Sequence, residues 1–299
     1  MDAAAGPATI TAGDFEEGGV SKEAELERGW PREGVSARVA AWQVLSAARG
    51  VRGALSVAVA LIAWQVIDSA GLVPRDLFPP PGAVWAAFVD IIAHGYRDTS
   101  LGEDVGATLG RCLAGFGLGA LIGVPLGLWM GSERRAGAAF GWIVQFLRPL
   151  PPLSFLILLI LWLGLGEASK IALLTMTALP IIASASEAAV RAVPARQIDV
   201  ARSLGARPRQ VFWHVVFPAS LPMIFTGLSI ALAATFSTVV AAELLAANDG
   251  LGWMVLSASR FLRNDVILLG IILLGILGMA LARLLLLLDR RLLPWRGRQ

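Results

Sequence analysis

Asp199-Val-Ala-Arg-Ser-Leu-Gly205-Ala-Arg-Pro-Arg-Gln-Val-Phe-Trp-His-Val-Val-Phe-Pro-Ala-Ser-Leu-Pro222 is a polar, arginine-bearing, helix-compatible stretch set between two long apolar runs. Its flanks decide the fold. Residues 171–190 carry only Glu187, near one end, and residues 215–242 are uncharged throughout. About 20 predominantly apolar residues cross a bilayer as a helix, so each flank qualifies as a span. A polar segment of this length between two spans must then emerge on one side of a membrane.

Working outward, four further segments qualify. The spans expected are about 53–73, 105–130, 138–166, 171–190, 215–243 and 266–288. The third is irregular, because Arg148, Pro149, Pro151 and Pro152 interrupt it. Its first part reads as a short, partly buried helix, with the crossing proper at 152–166. These runs are too long and too poorly alternating for barrel strands, and only helices or closed barrels satisfy their backbone in lipid. The fold class is an all-α polytopic membrane protein with six transmembrane helices.

Composition agrees. Apolar residues make up 56% of the 299 and charged residues 16%, with a mean hydropathy of +0.69; a soluble domain carries about 25% charged residues. Residues 1–34 differ from the rest, with Asp2, Asp14, Glu16, Glu17, Glu23, Glu25, Glu27 and Glu33 against Lys22, Arg28 and Arg32. Residues 1–50 therefore read as a disordered acidic tail and 294–299 as a second short tail. The first apolar run begins too late for a signal peptide. The single cysteine, Cys112, excludes an internal disulfide and reads as a small packing residue.

Basic residues orient the chain. With the N-terminus inside, the inner flanks hold Arg38, Arg49, Arg52, Arg134, Arg135, Arg191, Arg196, Arg202, Arg207, Arg209, Arg290, Arg291, Arg296 and Arg298, while the outer loops hold Arg75, Arg97, Lys170, Arg260 and Arg263. Both termini and the 191–214 loop then face the cytoplasm. Outside, Phe78-Pro-Pro-Pro followed by Val84, Trp85 and Phe88 on one face suggests an interfacial helix.

Within the loop, Asp199 follows Pro194 closely and suits the first turn of a helix, where an acid favours the dipole. Ala201 offers a small face for close approach. Gly205 can take the left-handed cap that ends a short helix, and Pro208 suits the first turn of the next.

These residues resemble the loop signature of binding-protein-dependent ABC importer permeases, in which Glu-Ala-Ala is followed after three residues by Gly and later by Ile-x-Leu-Pro. Asp199, Val200 and Ala201 match the first three, Gly205 the glycine, and Val215, Phe217 and Pro218 the close. Further similarity to the nitrate, aliphatic sulfonate and taurine branch lies in Gln145-Phe-Leu-Arg-Pro-Leu-Pro-Pro-Leu, Trp162-Leu-Gly-Leu-Gly-Glu-Ala-Ser-Lys, Ala242-Glu-Leu-Leu and Gly250-Leu-Gly. The resemblance implies the type I permease (MetI-like) fold over 51–293. It also implies that the loop, with Arg202, Ser203, Leu204 and Ala206, is a coupling helix that docks on a separate ABC ATPase subunit. ATP would be bound by that subunit, leaving this chain with no cofactor and no catalysis. The implied partners are the ATPase, a periplasmic or lipid-anchored solute-binding protein, a second copy of the chain, and the lipid of a bacterial inner membrane.

Other features carry less. Glu243 and Asp68 lie near span ends and Arg148 and Arg111 at span edges; ionisable groups there are candidates for a substrate path. Of these, Glu243 and Arg148 are the residues expected on the path. Gly110, Gly115, Gly117, Gly119, Gly123 and Gly127 favour close helix packing, in the bundle or between copies. A phosphate-binding Gly-x-x-x-x-Gly-Lys-Ser/Thr loop is absent, and His94 and His214 fall on opposite sides of the membrane. The arginines flank spans, which is not a nucleic-acid face. The rival readings are a secondary transporter or channel, which would show ionisable groups at mid-span or two matching broken halves, and a membrane enzyme, which would need convergent catalytic residues.

Overall fold

Prolines and glycines set the boundaries of the elements, and apolar runs fill them. The computed structural model describes residues 55–294, Leu72 and Asp76 excepted. The tail expected over 1–50, the start of the first span and residues 295–299 lie outside that range. The helices are α1 (Leu55–Ser69), α2 (Pro81–His94), α3 (Leu101–Ser132), α4 (Arg134–Leu147), α5 (Leu156–Leu163, entered through a 3-10 turn at Pro152–Phe155), α6 (Glu167–Arg191) and α7 (Ala195–Ser203). They continue with α8 (Pro208–Ala246), α9 (Leu251–Arg260) and α10 (Asn264–Leu292).

Four of these, α3, α6, α8 and α10, are long and apolar enough to cross a membrane. The segment expected as the third span is α4 followed by Pro152–Leu163, bent by 93° and counting as a fifth crossing if taken as one. Pro149, Pro151 and Pro152 explain the break, since none can donate to a helical ladder. The span expected first, over 53–73, falls on α1, which is shorter in its described part.

Helix direction argues that the bent pair does cross. A Cβ built on Gly115 would lie 2.2 Å from the Leu174 Cβ, on Gly119 2.6 Å from the Ala178 Cβ, on Gly127 2.5 Å from the Ser186 Cβ and on Gly131 2.6 Å from the Val190 Cβ. The partner advances in step with the glycine, so α3 and α6 run parallel and nearly touch. A chain leaving the far end of α3 must therefore return through α4 and α5 before α6 begins. Gly110 and Gly117 meet nothing within 4 Å. The sequence left open whether the glycines pack within the bundle or between copies; four of the six named there pack on α6.

The core lies where α8 runs back between these helices. Cys112, Leu174, Leu232, Val239, Leu281 and Leu285 form one cluster, while Leu156, Leu159, Leu173 and Ala242 seat α5 on α6 and α8. Cys112 is fully buried, as a packing residue should be. Large apolar side chains such as Leu121, Ile157, Leu161 and Trp162 point outward, which suits a lipid-facing surface. In α2 the buried stripe is Val84, Ala87 and Ile91. Trp85 is turned out at 66% exposure while Val84 is buried, so the three residues expected on one face divide.

Two boundaries move. The second span begins at Leu101 rather than 105, because Ser100 and Glu103 form a reciprocal capping box. The fifth begins at Pro208, inside the segment expected to be loop, with a π turn at Phe212–Val216. Pro218 has no N–H to offer His214, and the Phe217 N–H reaches back instead to the Phe212 carbonyl.

Candidate functional site

Three places concentrate polar side chains on an otherwise apolar scaffold. The first is the segment joining α6 to α8. Pro194 precedes α7, which ends in a left-handed cap: Gly205 has φ +82°. Its N–H donates to the Arg202 carbonyl at 2.9 Å, and the Ala206 N–H to the Ala201 carbonyl at 3.1 Å. This paired closure satisfies the last carbonyls of the helix. Beneath it, Ile198, Ala201, Ala206 and Phe212 pack on Val190, Val211 and Val216. The outward face is Asp199, Val200, Arg202, Ser203 and Leu204, the last 82% exposed.

Two details differ from the sequence reading. Asp199 lies in the second turn of α7, whose first turn holds no acid, so the dipole argument does not apply to it. Ala201 is half-buried against the apolar underside, so its small side chain serves packing within the chain. Val215, Phe217 and Pro218 stand at the base of α8, not on α7. A groove of about 640 Å³ nevertheless brings Val200, Val215 and Pro218 together, with Arg196 and His214 on its walls.

The second place is a buried polar network at the opposite end of α3. Arg111 Nε and Nη2 donate to the Glu167 carboxylate at 2.6 and 2.7 Å. Nη1 donates to Glu243 Oε1 at 2.9 Å and to the Asp249 carbonyl at 3.0 Å, and Nη2 also meets the Asp249 carboxylate. Thr108 Oγ1 and the Gly252 N–H both donate to Glu243 Oε2 at 3.0 Å. Asp104 accepts from the Gly250 N–H at 2.8 Å, and Thr108 accepts from the Leu251 N–H at 3.0 Å. The chain thereby ties the break between α8 and α9 to α3 and to the start of α6.

Glu243, weighed above for a substrate path, is fully buried, and its carboxylate accepts from Arg111, Thr108 and Gly252. Both of its oxygens are committed, and removing either partner would strand a buried charge. Arg111, also weighed for such a path, is the centre of this clasp. The sequence signal was the pairing of an arginine in one span with an acid and a Gly-Leu-Gly in another, which only the fold joins. Asp68 likewise accepts two bonds from Arg75, at 3.0 and 3.2 Å.

The third place is a cavity of about 310 Å³ where α4 ends, bounded by α6 and α8. Arg148 stands on its wall, exposed and without an ion-pair partner among the described residues. Of the two path candidates, Glu243 is buried and Arg148 lines a cavity.

Comparison with known proteins now decides the family. Residues 123–294 match the binding-protein-dependent transport system inner membrane component. The chain belongs to that family. It is 39% identical to the taurine transport system permease protein TauC of Escherichia coli over 243 residues, covering 81% of this chain and 88% of that one. A putative aliphatic sulfonates transport permease protein of Bacillus subtilis is 32% identical, covering 83% and 88%. The nitrate import permease protein NrtB of Synechocystis sp. is 32% identical, covering 82% and 90%. Among solved structures, an inward-facing MetNI methionine ABC transporter shares the fold, with a TM-score of 0.51 at 24% identity over 61% of this chain and 94% of that one. This binding-protein-dependent permease is therefore a membrane-embedded transport component of an ABC importer. Its family implies an ATPase subunit and a solute-binding protein as partners.

Proposed function

We propose that the chain is a permease for a small organic or inorganic anion, such as a sulfonate, taurine or nitrate. The substrates in the names of the relatives support this class. The protein works as a homodimer in the bacterial inner membrane with both termini cytoplasmic. Each copy offers one coupling loop to one ATPase subunit, which binds and hydrolyses ATP; this chain carries no cofactor and no chemistry.

The observation that carries the coupling role is the build of α7. An apolar underside fixes it to the bundle, a left-handed cap at Gly205 ends it sharply, and Asp199, Val200, Arg202, Ser203 and Leu204 stand outward. A short helix held so can move with the spans as one body. The adjoining groove brings Val215 and Pro218 beside Val200, giving a docking segment a place to lodge. Arg148 stands for the substrate path.

The test is uptake by proteoliposomes holding the chain with its ATPase and binding protein. ATP-dependent accumulation of taurine, ethanesulfonate or nitrate is expected. Accumulation driven by an ion gradient without the ATPase would point to a secondary transporter instead.

A further inference from the structure

Arg111, Arg148 and Arg283 lie inside the span region, and the fold treats the first two oppositely. Arg111 is closed in by Glu167, Glu243 and Asp249. Arg148 has no such company. It follows the last turn of α4, its N–H bonded to the Val144 carbonyl at 3.1 Å, and Pro149 forbids the helix to continue. The backbone is thus fixed at the bend, with Arg148 on the wall of the 310 Å³ cavity. Thr177 and Pro180, near the middle of α6, line the same cavity, as do Ser237 and Thr238 of α8. That places it well inside the membrane, where an uncompensated charge is costly and marks a functional site by default.

The chemistry of the walls is specific. Among the described residues lining the cavity, Arg148 is the only charged one. The hydroxyls of Thr177 and Thr238 already donate to the carbonyls of Leu173 and Ala234. The Ser237 hydroxyl is on an exposed side chain at the cavity and has no such bond among those described. Phe155, Met176 and Ile181 supply apolar surface. The volume stands at the lower end of ligand pockets, which run from about 300 Å³ upward.

Resting on the reading of this chain as an anion permease, we infer that this cavity is a charge-selecting station for a compact monoanion, an oxoanion group on a short apolar body. The planar guanidinium fork matches two oxygens of such a group, and Ser237 can donate to a third. One cation suits one negative charge, so a dianion would stay undercompensated. The described residues of the walls include no carboxylate to receive an ammonium. A plain alkyl sulfonate therefore fits here as well as an amino-sulfonate, and recognition of an amine falls to the binding protein.

Thiol labelling tests this without any transport. The full-length chain in detergent would carry Cys112→Ala with Ser237→Cys, and in a second preparation Ala234→Cys, which lines the same cavity. Each is treated with the anionic sulfonatoethyl and the cationic trimethylammonioethyl methanethiosulfonate, and rates are corrected for reaction with a free small thiol. The anionic reagent should react about tenfold faster, as a unit charge a few ångströms away implies. Arg148→Gln should erase the preference and Arg148→Lys should keep it. Equal corrected rates, a preference that survives Arg148→Gln, or no reaction at either cysteine would each overturn the inference. Uptake assays fail separately: a wild-type chain that carries no anion but labels as expected would sink the substrate reading and leave the selecting cavity standing.

Discussion

Glu243 Oε1 accepts a hydrogen bond from Arg111 Nη1 at 2.9 Å, with side-chain exposures of 0% and 3%. A charge pair this deeply enclosed in a membrane protein is stable only if its remaining valences are met. Here Thr108, Gly252, Glu167 and Asp249 meet them. Removing one partner of a buried pair costs roughly 3–5 kcal/mol. Arg111→Leu should therefore lower the melting temperature of the purified permease sharply. Glu243→Leu in the same chain should restore only part of it, because Asp249 loses its arginine and Glu167 keeps only Lys170, at 2.9 Å. A melting temperature unchanged in Arg111→Leu would contradict the clasp.

The glycines of α3 divide by face. Gly115→Ala and Gly119→Ala each put a Cβ within 2.6 Å of a side-chain carbon of α6, which forces two closely packed helices apart. Gly117→Ala meets open space. Melting temperature should fall in the first two and hold in the third. Equal losses at all three positions would mean that α3 and α6 do not pack as described.

Sidedness is open to chemical labelling. In a Cys112→Ala background, Asp98→Cys should react with an impermeant thiol reagent on intact cells. Arg207→Cys should react only after permeabilisation. The reverse pattern would invert the proposed topology.

Subunit composition is open to native mass analysis of the complex purified with its ATPase. Two copies of this chain with two ATPase subunits are expected. A transporting particle with one copy of each would contradict the homodimer.

The parts of this fold legible in the sequence were those written in short-range chemistry. Uncharged runs located α3, α6, α8 and α10, and Gly205 with Pro208 announced a cap and a restart. What the sequence hid was long-range. Glu243 and Arg111 stand 132 positions apart, and each alone resembles a charge awaiting a ligand. Ala201 looks like a surface residue until the curl of α7 turns it onto Val190 and Val211. The break at Pro149–Pro152 was visible, while its 93° bend follows from helices packed around it.

The central claim is that α7 and its cap form the surface gripped by the ATPase. Gly205 has φ +82° with no atom within 4 Å of a built Cβ, so substitution acts through backbone conformation alone. A β-branched residue is the least tolerant of that region, whereas Asn accepts it. The deciding measurement is co-purification of the ATPase subunit with Gly205→Val and Gly205→Asn, normalised to permease in the membrane. Gly205→Val should insert normally but lose the ATPase and ATP-driven uptake, with Gly205→Asn retaining most of both. Full ATPase retention and uptake in Gly205→Val would mean that this segment is only a basic anchor at the membrane surface.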